Sequence, residues 1–410
     1  METKDYIVRE EKYVARNYNP LPVVLNKGEG VWMWDVEGNK YLDFLSAYSA
    51  VSAGHGNPRI KKALIDQLNK LDVPCRAFRT EGLGEFAETL CQLTGMDMML
   101  PMNTGAEAIE TAIKAARRWG YRAKKIPENK ARIIVCENNF HGRTTTIISF
   151  STEPSYKADF GPFDGGFDYV PFGDAAALEK AITPDTCAFL VEPIQAEAGI
   201  LMPPKGWLKK VQAICKKHNV LLILDEIQTG MARTGKDFCY QHEIDKPDCM
   251  TLGKALGGGI YPVSAFLARK DVMDHFNPGS HGSTFGGNPL ATAIGIEALK
   301  MLKDENLAER SRDLGDYLLQ KLRGFNSPAI KDVRGLGLLI GVEIDPAKAT
   351  ARDVCERLQK KGVLCKETHE VVVRFAPPLT ITREEIDWGL QKVSEVLMEI
   401  ETPEQQANRA

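Results

Sequence analysis

Short apolar runs alternate with amphipathic stretches through the middle of the chain. Three of these runs each predict a strand that is buried on both faces: residues 132–136, 187–191 and 220–224. Between the last two runs, apolar side chains such as Leu208, Val211 and Ile214 recur at helical spacing. A strand, a helix and a strand of these lengths predict parallel pairing, and therefore an α/β sheet.

The two ends of the chain follow a different pattern, which predicts a smaller α+β unit. The predicted elements are strands at 30–34 and 40–43, a long helix from about Pro289 to Phe325, a strand at 338–343, a helix at 351–361 and a strand at 370–375. We therefore expect a large domain over residues 50–288 and a small domain formed by residues 1–49 and 289–410. Residues 402–410 are expected to form a frayed tail.

The composition is that of an ordinary globular protein and excludes several classes of function. Of the 410 residues, 43% are hydrophobic and 26% are charged, and the formal net charge is -3. This charge argues against a nucleic-acid binder, so we interpret the basic run at 117–125 as solvated cations at the C-terminus of a helix. No window is long and apolar enough to predict a membrane span, and the N-terminus lacks the apolar core of a signal peptide.

The cysteines and histidines are not spaced as metal ligands. Nine cysteines are scattered without CxxC pairs, and seven histidines occur without an HExxH motif. We therefore expect no metal site, reduced thiols and a cytoplasmic protein. His55 is interpreted as a packing or turn residue.

The segment 230–236 comes close to a phosphate-binding loop of the type GxxxxGK. Such a loop needs Ser or Thr after the lysine to hold a magnesium ion, and Asp237 stands at that position. We therefore interpret its glycines as turn residues. A nucleotide-dependent binding module that uses this segment is the alternative from another class of function.

Two carboxylates and a lysine lie where an open parallel sheet binds its ligands. Asp225 and Glu226 follow the apolar run at 220–224, and ligands gather at the carboxyl ends of such strands. Adjacent strand residues point to opposite faces, so one of the two acids would face a ligand. Lys254 lies in an apolar, glycine-rich stretch, where the loss of water would lower the pKa of its amine and suit Schiff-base chemistry. A solvated loop lysine is the alternative.

A candidate anion site lies at the start of a predicted helix. Thr104, Gly105 and Ala106 would let backbone N–H groups approach an anion at the helix N-terminus. Thr104 and Glu107 also fit a plain capping box, which is the alternative. An anion cradle, a strand-end carboxylate and a secluded lysine together meet the needs of pyridoxal phosphate. Asp225 would then keep the nitrogen of the cofactor ring protonated.

Four short motifs surround these candidate residues: VEPIQ at 191–195, LDEIQTG at 224–230, RTG at 233–235 and GKALGGG at 253–259. Together they resemble the class III aminotransferases of the fold type I pyridoxal-phosphate superfamily, over essentially the whole chain. Three further stretches resemble the ornithine aminotransferase subgroup: NYNPLPV at 17–23, YSAV at 48–51 and FHGR at 140–143, followed by three threonines. The resemblance implies a large α/β domain around a mostly parallel seven-stranded sheet, with a small α+β domain.

The resemblance also implies pyridoxal 5'-phosphate as the cofactor. Lys254 would bind it as a Schiff base and then move protons, while Asp225 would pair with its pyridinium nitrogen. Gln228 would contact the ring hydroxyl and Phe140 would stack on the ring. The other implied cofactor contacts are Gly105 and Ala106 at the phosphate, Ile227, and Thr284 from a neighbouring subunit. A site shared in this way implies a homodimer.

The implied reaction transfers the terminal amino group of L-ornithine to 2-oxoglutarate. It would give glutamate and glutamate 5-semialdehyde, which cyclises to pyrroline-5-carboxylate. Tyr18 and Arg143 would receive substrate carboxylates, and Tyr48 would shape the pocket for a diamino acid. Glu197 would pair with Arg374 while ornithine reacts and release it for the keto acid; a static salt bridge is the alternative. Acetylornithine and 4-aminobutyrate aminotransferases are the alternative activities, and both are expected to lack the two tyrosines.

Overall fold

The computed structural model describes residues 2–401. The strands are β1 (Leu25–Glu29), β2 (Trp32–Asp35), β3 (Lys40–Asp43), β4 (Met98–Met102), β5 (Arg132–Cys136), β6 (Phe167–Val170), β7 (Thr186–Val191), β8 (Leu221–Asp225), β9 (Cys249–Leu252), β10 (Ser264–Ala268), β11 (Ile330–Leu336), β12 (Leu339–Ile344), β13 (Val363–Leu364), β14 (Lys366–Thr368) and β15 (Val372–Phe375). The α-helices are α1 (Thr3–Tyr13), α2 (Ser46–Ser49), α3 (Pro58–Leu68), α4 (Glu81–Thr94), α5 (Gly105–Arg122), α6 (Thr145–Ser149), α7 (Ala175–Ala181), α8 (Trp207–Lys217), α9 (Lys270–Met273), α10 (Pro289–Asp304), α11 (Leu307–Arg323), α12 (Ala351–Lys360) and α13 (Arg383–Glu401).

A seven-stranded sheet in the order β4-β10-β9-β8-β7-β5-β6 forms the centre of the molecule. From β9 to β6 the strands pair in parallel, whereas β10 pairs antiparallel with both β9 and β4. Every residue of β7 and β8 is buried, because helices cover both faces of the sheet. Leu222 packs in one core with Trp207 of α8, and Leu221 packs in another with Ile113 of α5. The predicted α/β fold with a mostly parallel sheet is confirmed.

Two four-stranded sheets are built from the ends of the chain, in the orders β1-β2-β3-β13 and β11-β12-β15-β14. Strand β13 pairs in parallel with β3, where Val363 lies opposite Leu42, so a late strand completes a sheet begun near the N-terminus. Helix α12 packs against β13, β14 and β15. We propose on this basis that residues 1–49 and 289–410 form one small domain beside the large domain at 50–288.

Most predicted elements of the centre and the ends are confirmed, with one clear correction. The strands predicted at 132–136, 187–191 and 220–224 are β5, β7 and β8, and the helix between the last two is α8. The single long helix predicted from Pro289 to Phe325 is wrong, because the chain breaks there into α10 and α11. Asn306 adopts a φ of 48° at the break, a left-handed conformation that Asn tolerates better than most residues.

The sequence pattern does not predict strand β11, because its exposed Lys331 and Asp332 interrupt the apolar alternation. The tail predicted at 402–410 lies outside the described residues. Among residues 2–401, none of the helices is long and apolar enough to cross a bilayer.

Candidate active site

A cavity of about 150 Å³ opens where three parallel strands end. Glu192 directly follows β7, Asp225 ends β8, and Lys254 comes two residues after β9. All three side chains line the cavity, as expected for the ligand site of an open α/β sheet. The structure places seven of the eight predicted cofactor residues around it: Gly105, Ala106, Phe140, Asp225, Ile227, Gln228 and Lys254.

Asp225 is held rigidly on the cavity wall. Its Oδ1 accepts hydrogen bonds from the Ile227 N–H at 3.0 Å and the Thr251 hydroxyl at 3.2 Å. Its Oδ2 lies 2.6 Å from Nδ1 of His141, whose ring is fully buried. The sequence analysis gave His141 no role, although it lies inside the FHGR motif at 140–143. Nothing local indicates that this ring reaches a carboxylate 84 positions further along the chain.

Glu226 points away from the cavity and organises the loop that follows β8. Its carboxylate accepts hydrogen bonds from the Thr229 hydroxyl at 2.7 Å and from the N–H groups of Cys239 and Tyr240 at 3.0 and 2.7 Å. Burial raises the pKa of Glu226 to about 7, against the lowering effect of these donors. Of the two adjacent acids, Asp225 is therefore the one that faces a ligand, while Glu226 is structural.

Lys254 and Glu192 both line the cavity, and their pKa values are shifted in opposite directions. Burial lowers the pKa of the Lys254 amine, and the nearby carboxylates of Glu197 and Asp225 offset part of this effect. Burial also raises the pKa of Glu192 well above its usual range, and the charge of Asp225 adds to this rise. The Glu192 carboxyl accepts a hydrogen bond from the Phe140 N–H at 3.0 Å. The cavity thus combines an amine that loses its proton easily with a carboxyl group that keeps its own.

The N-terminus of α5 forms an anion cradle on one side of the cavity. The predicted capping box is present, since Glu107 N–H donates to the Thr104 hydroxyl and the Thr104 N–H donates to the Glu107 carboxylate at 2.8 Å. The cap leaves Gly105 and Ala106 in the first turn, where N–H groups have no acceptor within the helix. A Cβ atom on Gly105 would lie 3.0 Å from Ile227, so a larger residue would crowd the cradle. Capping and anion binding are therefore compatible at this helix end.

A larger outer cleft opens onto the same lysine. Phe140 and Lys254 line both cavities. The structure places all five predicted substrate residues on the walls of the outer cleft: Tyr18, Tyr48, Arg143, Glu197 and Arg374. The inner cavity therefore has the features of a cofactor site, and the outer cleft has the features of a substrate site.

Glu197 and Arg374 form a charged pair on the wall of the outer cleft, in which Arg374 is buried and Glu197 is partly buried. Arg374 Nη1 and Nη2 lie 2.5 and 3.3 Å from the two Glu197 oxygens. Burial alone would raise the pKa of Glu197, but Arg374, with smaller contributions from Lys254 and His369, lowers it overall. When the Gln228 amide is turned so that both of its ends are satisfied, it donates to Glu197 and accepts from Arg374, each at 3.2 Å. Gln228 therefore connects the pair to the cofactor cavity.

A family model described as "Aminotransferase class-III" matches residues 13–397. The chain belongs to the class III aminotransferases. Curated relatives include an ornithine aminotransferase from Brevibacillus brevis, 55% identical over 396 residues, which covers 97% of this chain and 98% of the relative. An ornithine aminotransferase from Bacillus subtilis is 54% identical over the same shares of both chains.

Solved structures of two differently named aminotransferases are also similar to this one. An ornithine aminotransferase from Toxoplasma gondii, described with partial occupancy of PLP at its active site, matches with a TM-score of 0.96 and 44% identity, covering 98% of this chain and 95% of that one. An acetylornithine aminotransferase from Elizabethkingia anophelis matches with a TM-score of 0.90 and 50% identity, covering 97% of this chain and 99% of that one.

The inner cavity of this aminotransferase fits pyridoxal phosphate, the cofactor of its family. The cradle at Gly105 and Ala106 suits the phosphate, and the fixed Asp225 suits a protonated ring nitrogen. Lys254, which lines both cavities, supplies the amine. Among the described residues, the buried Nε2 of His141 has no hydrogen-bond partner.

Thr284, the eighth predicted cofactor residue, is exposed and lies outside the lining of both cavities of this chain. Its contribution to the site of a neighbouring subunit stays a prediction.

Tyr156 is a wall of the outer cleft that the sequence analysis missed. The guanidinium of Arg143 stacks 3.4 Å from the centre of its ring, and Phe140 meets the same ring edge-on at 6.1 Å. The pKa of the Tyr156 hydroxyl is raised by burial. Nothing in the local sequence around Tyr156 indicates this contact, because Tyr156 ends a 3-10 helix, Pro154–Tyr156, which is too short to give a helical pattern.

Tyr48 lies in a left-handed turn. The residues of α2, Ser46–Ser49, have φ values of 46°, 48°, 59° and 72°. A left-handed conformation costs roughly 1–2 kcal/mol per residue for side chains other than glycine, so the surrounding structure must hold this turn. Asp43 accepts a hydrogen bond from the Ser46 N–H at 2.7 Å, and Arg233 donates to the Ser46 hydroxyl at 3.2 Å.

Two other features singled out in the sequence have structural roles. The segment 230–236 forms turns and bends, and Asp237 after it pairs with Lys303 at 2.6 Å. Since the chain is an aminotransferase, the alternative of a nucleotide-dependent binding module is rejected. His55 Nε2 lies 2.7 Å from Asp43, in keeping with a packing role.

Proposed function

We propose that this aminotransferase moves the terminal amino group of L-ornithine to 2-oxoglutarate, giving glutamate and glutamate 5-semialdehyde. The observation that carries the proposal is the Glu197–Arg374 pair beside Lys254. An arginine masked by a carboxylate does not attract the α-carboxylate of an amino acid. The amine farther from the α-carboxylate of the substrate is then the one that lies next to Lys254.

The residues of the inner cavity hold and adjust the cofactor. Pyridoxal phosphate, when bound, supplies the electron sink that makes the proton next to the reacting nitrogen labile. Asp225, fixed by His141, stabilises a protonated ring nitrogen. Lys254 Nζ accepts a proton and returns it, a role that its lowered pKa suits.

The outer cleft selects the substrates by charge and by reach. Tyr18 receives the α-carboxylate of ornithine, and Tyr48 bounds the pocket beside Arg374, with its ring 4.9 Å from the guanidinium. Arg374, once free of Glu197, binds the α-carboxylate of the keto acid, and Arg143 binds its distal carboxylate. The pocket therefore serves a diamino acid and a dicarboxylate in turn.

Assembly and location extend the same proposal. A homodimer would bring Thr284 to the phosphate of a neighbouring subunit, and the exposed position of Thr284 allows this. The cysteines of the described chain are free, which suits the reducing cytoplasm.

Acetylornithine aminotransferase activity is the second candidate, and the 50% identity to the Elizabethkingia anophelis enzyme favours it. N-acetylornithine would react through the same distal amine. The α-nitrogen of N-acetylornithine is an uncharged amide. The choice between two amines, on which the masking of Arg374 acts, therefore does not arise for this substrate. The presence of both Tyr18 and Tyr48 at the cleft supports ornithine instead.

A half-reaction screen tests the proposal. The cofactor-loaded enzyme is mixed with ornithine, N-acetylornithine or 4-aminobutyrate, and the absorbance of the bound cofactor is followed. Ornithine is expected to react fastest, and Lys254→Ala is expected to lose turnover by many orders of magnitude with its fold intact. A clear preference for N-acetylornithine would replace the proposed substrate, and normal turnover by Lys254→Ala would reject the mechanism.

A further inference from the structure

Tyr18 sits on a segment that has little of its own to hold it in place. The residues between α1 and β1 form no helix or strand, and 76% of Tyr18 is exposed. Pro20 and Pro22 hold this segment extended and offer no N–H groups, so it can be tied to the protein chiefly through its carbonyls. The position of the Tyr18 hydroxyl therefore depends on what binds those carbonyls.

Arg352 binds two of these carbonyls in succession. Its Nη1 donates to Asn19 O at 2.9 Å and its Nη2 donates to Pro20 O at 3.0 Å. The guanidinium is oriented by two carboxylates, with Nε bonded to Glu356 at 2.7 Å and Nη1 lying 3.5 Å from Glu367. An arginine has a rigid, planar set of donors, which suits it to two adjacent acceptors.

The i,i+4 pair of Arg352 with Glu356 supports α12, but the position of Arg352 near the start of the helix does not. Arg352 stands in the first turn of α12, where the helix dipole disfavours a positive charge. The next arginine of the helix, Arg357, instead bonds Asp353 at 2.9 Å and lies 3.6 Å from Glu399 of α13. Both arginines therefore lie in α12 and pair with carboxylates. Of the two, Arg352 alone contacts the segment between α1 and β1 that carries Tyr18.

We propose that Arg352 is a positioning residue for substrate specificity, which fixes Tyr18 through the Asn19 and Pro20 carbonyls. Arg352 also lines the outer cleft, so the clamp lies beside the site that it shapes. With Tyr18 fixed, the α-carboxylate of the diamino acid is received at a set distance from Lys254. This inference deepens the proposed function and rests on it.

Kinetics of the holoenzyme test the specificity part of the inference. Arg352→Met keeps the length of the side chain and removes its donors, and Arg357→Met is the matched control. Arg352→Met is expected to raise KM for ornithine roughly tenfold with kcat within about twofold, as for the loss of two hydrogen bonds. KM for 2-oxoglutarate should stay within about twofold, and Arg352→Lys should fall between wild type and Arg352→Met.

A double-mutant cycle separates positioning from direct binding. In a Tyr18→Phe background, Arg352→Met should have little further effect on KM for ornithine, because the hydroxyl that it positions is gone. An undiminished effect in that background would mean that Arg352 acts on ornithine by itself, and would overturn the proposal. An unchanged KM in the single variant would overturn it as well.

Proteolysis tests the clamp without any substrate. Trypsin cleavage after the exposed Arg16 in the holoenzyme should be severalfold faster in Arg352→Met than in wild type or Arg357→Met, because release of the two carbonyls frees the segment. Equal cleavage rates would reject the clamp. If cleavage accelerates but wild type does not use ornithine, the clamp stands and the proposed function fails.

Discussion

Arg374 and Arg233 are the two largest fully buried side chains described, and their surroundings differ completely. Arg374 faces the carboxylate of Glu197 on the wall of the outer cleft. Arg233 donates to neutral oxygens alone among its described hydrogen bonds: Leu338 O at 2.9 Å, Pro377 O at 2.6 Å, Ser46 Oγ at 3.2 Å and Ser52 Oγ at 2.9 Å. Arg374 is therefore paired with one negative charge, whereas Arg233 is surrounded by the dipoles of uncharged groups.

The difference indicates what each arginine can do. A carboxylate partner can be replaced by the carboxylate of a substrate, because the two have the same chemistry. The four oxygens around Arg233 belong to separate segments of the chain, and no small molecule can replace them. Burial lowers the pKa of Arg233, partly offset by Asp43, yet a guanidinium stays charged at neutral pH. Arg233 is thus a permanent structural cation, and Arg374 is an exchangeable one.

The structural cation also supports the exchangeable one. Pro377, a partner of Arg233, lies three residues after Arg374. Of its side-chain partners, Ser46 is the first residue of the left-handed turn that carries Tyr48, and Ser52 follows this turn. Because the Tyr48 ring lies 4.9 Å from the Arg374 guanidinium, Arg233 holds both sides of this contact.

The largest effect is expected from removing the structural cation. Arg233→Met should lower the free energy of unfolding by about 3–5 kcal/mol, because it leaves four buried oxygens without a donor. Urea unfolding measures the change. Arg312→Met removes a half-exposed arginine of α11 and should change the free energy of unfolding far less. Equal midpoints for the two variants would remove the distinction between Arg233 and an ordinary surface arginine.

Removing the exchangeable cation should instead affect one substrate. Arg374→Met is expected to reduce kcat/KM for 2-oxoglutarate roughly 100-fold, since a two-point contact to a carboxylate is lost. The half-reaction with ornithine should change less than about tenfold, because Arg374 is masked in that step. Separate half-reactions for each substrate measure the two effects. Equal losses in both would mean that Arg374 has a general structural role like that of Arg233.

The smallest expected effect is a change in the free energy of unfolding at acid pH. The pKa of Glu197 is lower in the folded chain than its ordinary value of 4.5, because Arg374, Lys254 and His369 together outweigh burial. The pair therefore stabilises the fold above that ordinary value, and its contribution is lost as the pH falls through the lowered pKa. The destabilisation caused by Glu197→Gln should accordingly shrink toward acid pH, whereas that caused by Arg233→Met should not change, as its acceptors do not titrate. Urea midpoints measured between pH 7 and acid conditions test this contrast; a parallel pH dependence would contradict it.

The parts of the molecule that sequence predicts are those set by local pattern. Strands β7 and β8 are continuous apolar runs, and residues such as Asp225 and Lys254 are recognisable because strand ends bind ligands in this fold. The capping box at Thr104 is likewise local, since all its atoms lie within four residues.

The parts that sequence does not predict depend on distant contacts. The left-handed turn at Ser46–Ser49 is held by Arg233, more than 180 residues away, and no local propensity favours it. The contact between His141 and Asp225 joins a loop residue to the last residue of β8, and the two are adjacent only in the folded sheet. The apolar pattern keeps its helical periodicity on both sides of Asn306. The pattern alone therefore predicts one helix through the break.

The central claim is that Glu197 masks Arg374 and so selects the terminal amine. The most direct test is the ratio of single-turnover rate constants for glutamate and ornithine with the cofactor-loaded enzyme, in wild type, in Glu197→Gln and in the control Glu179→Gln, whose side chain is partly exposed and outside both cavities. The account predicts that the ratio rises at least roughly tenfold in Glu197→Gln, because unmasked Arg374 attracts the α-carboxylate of glutamate, and that it is unchanged in the control. The same ratio in all three enzymes would contradict the account.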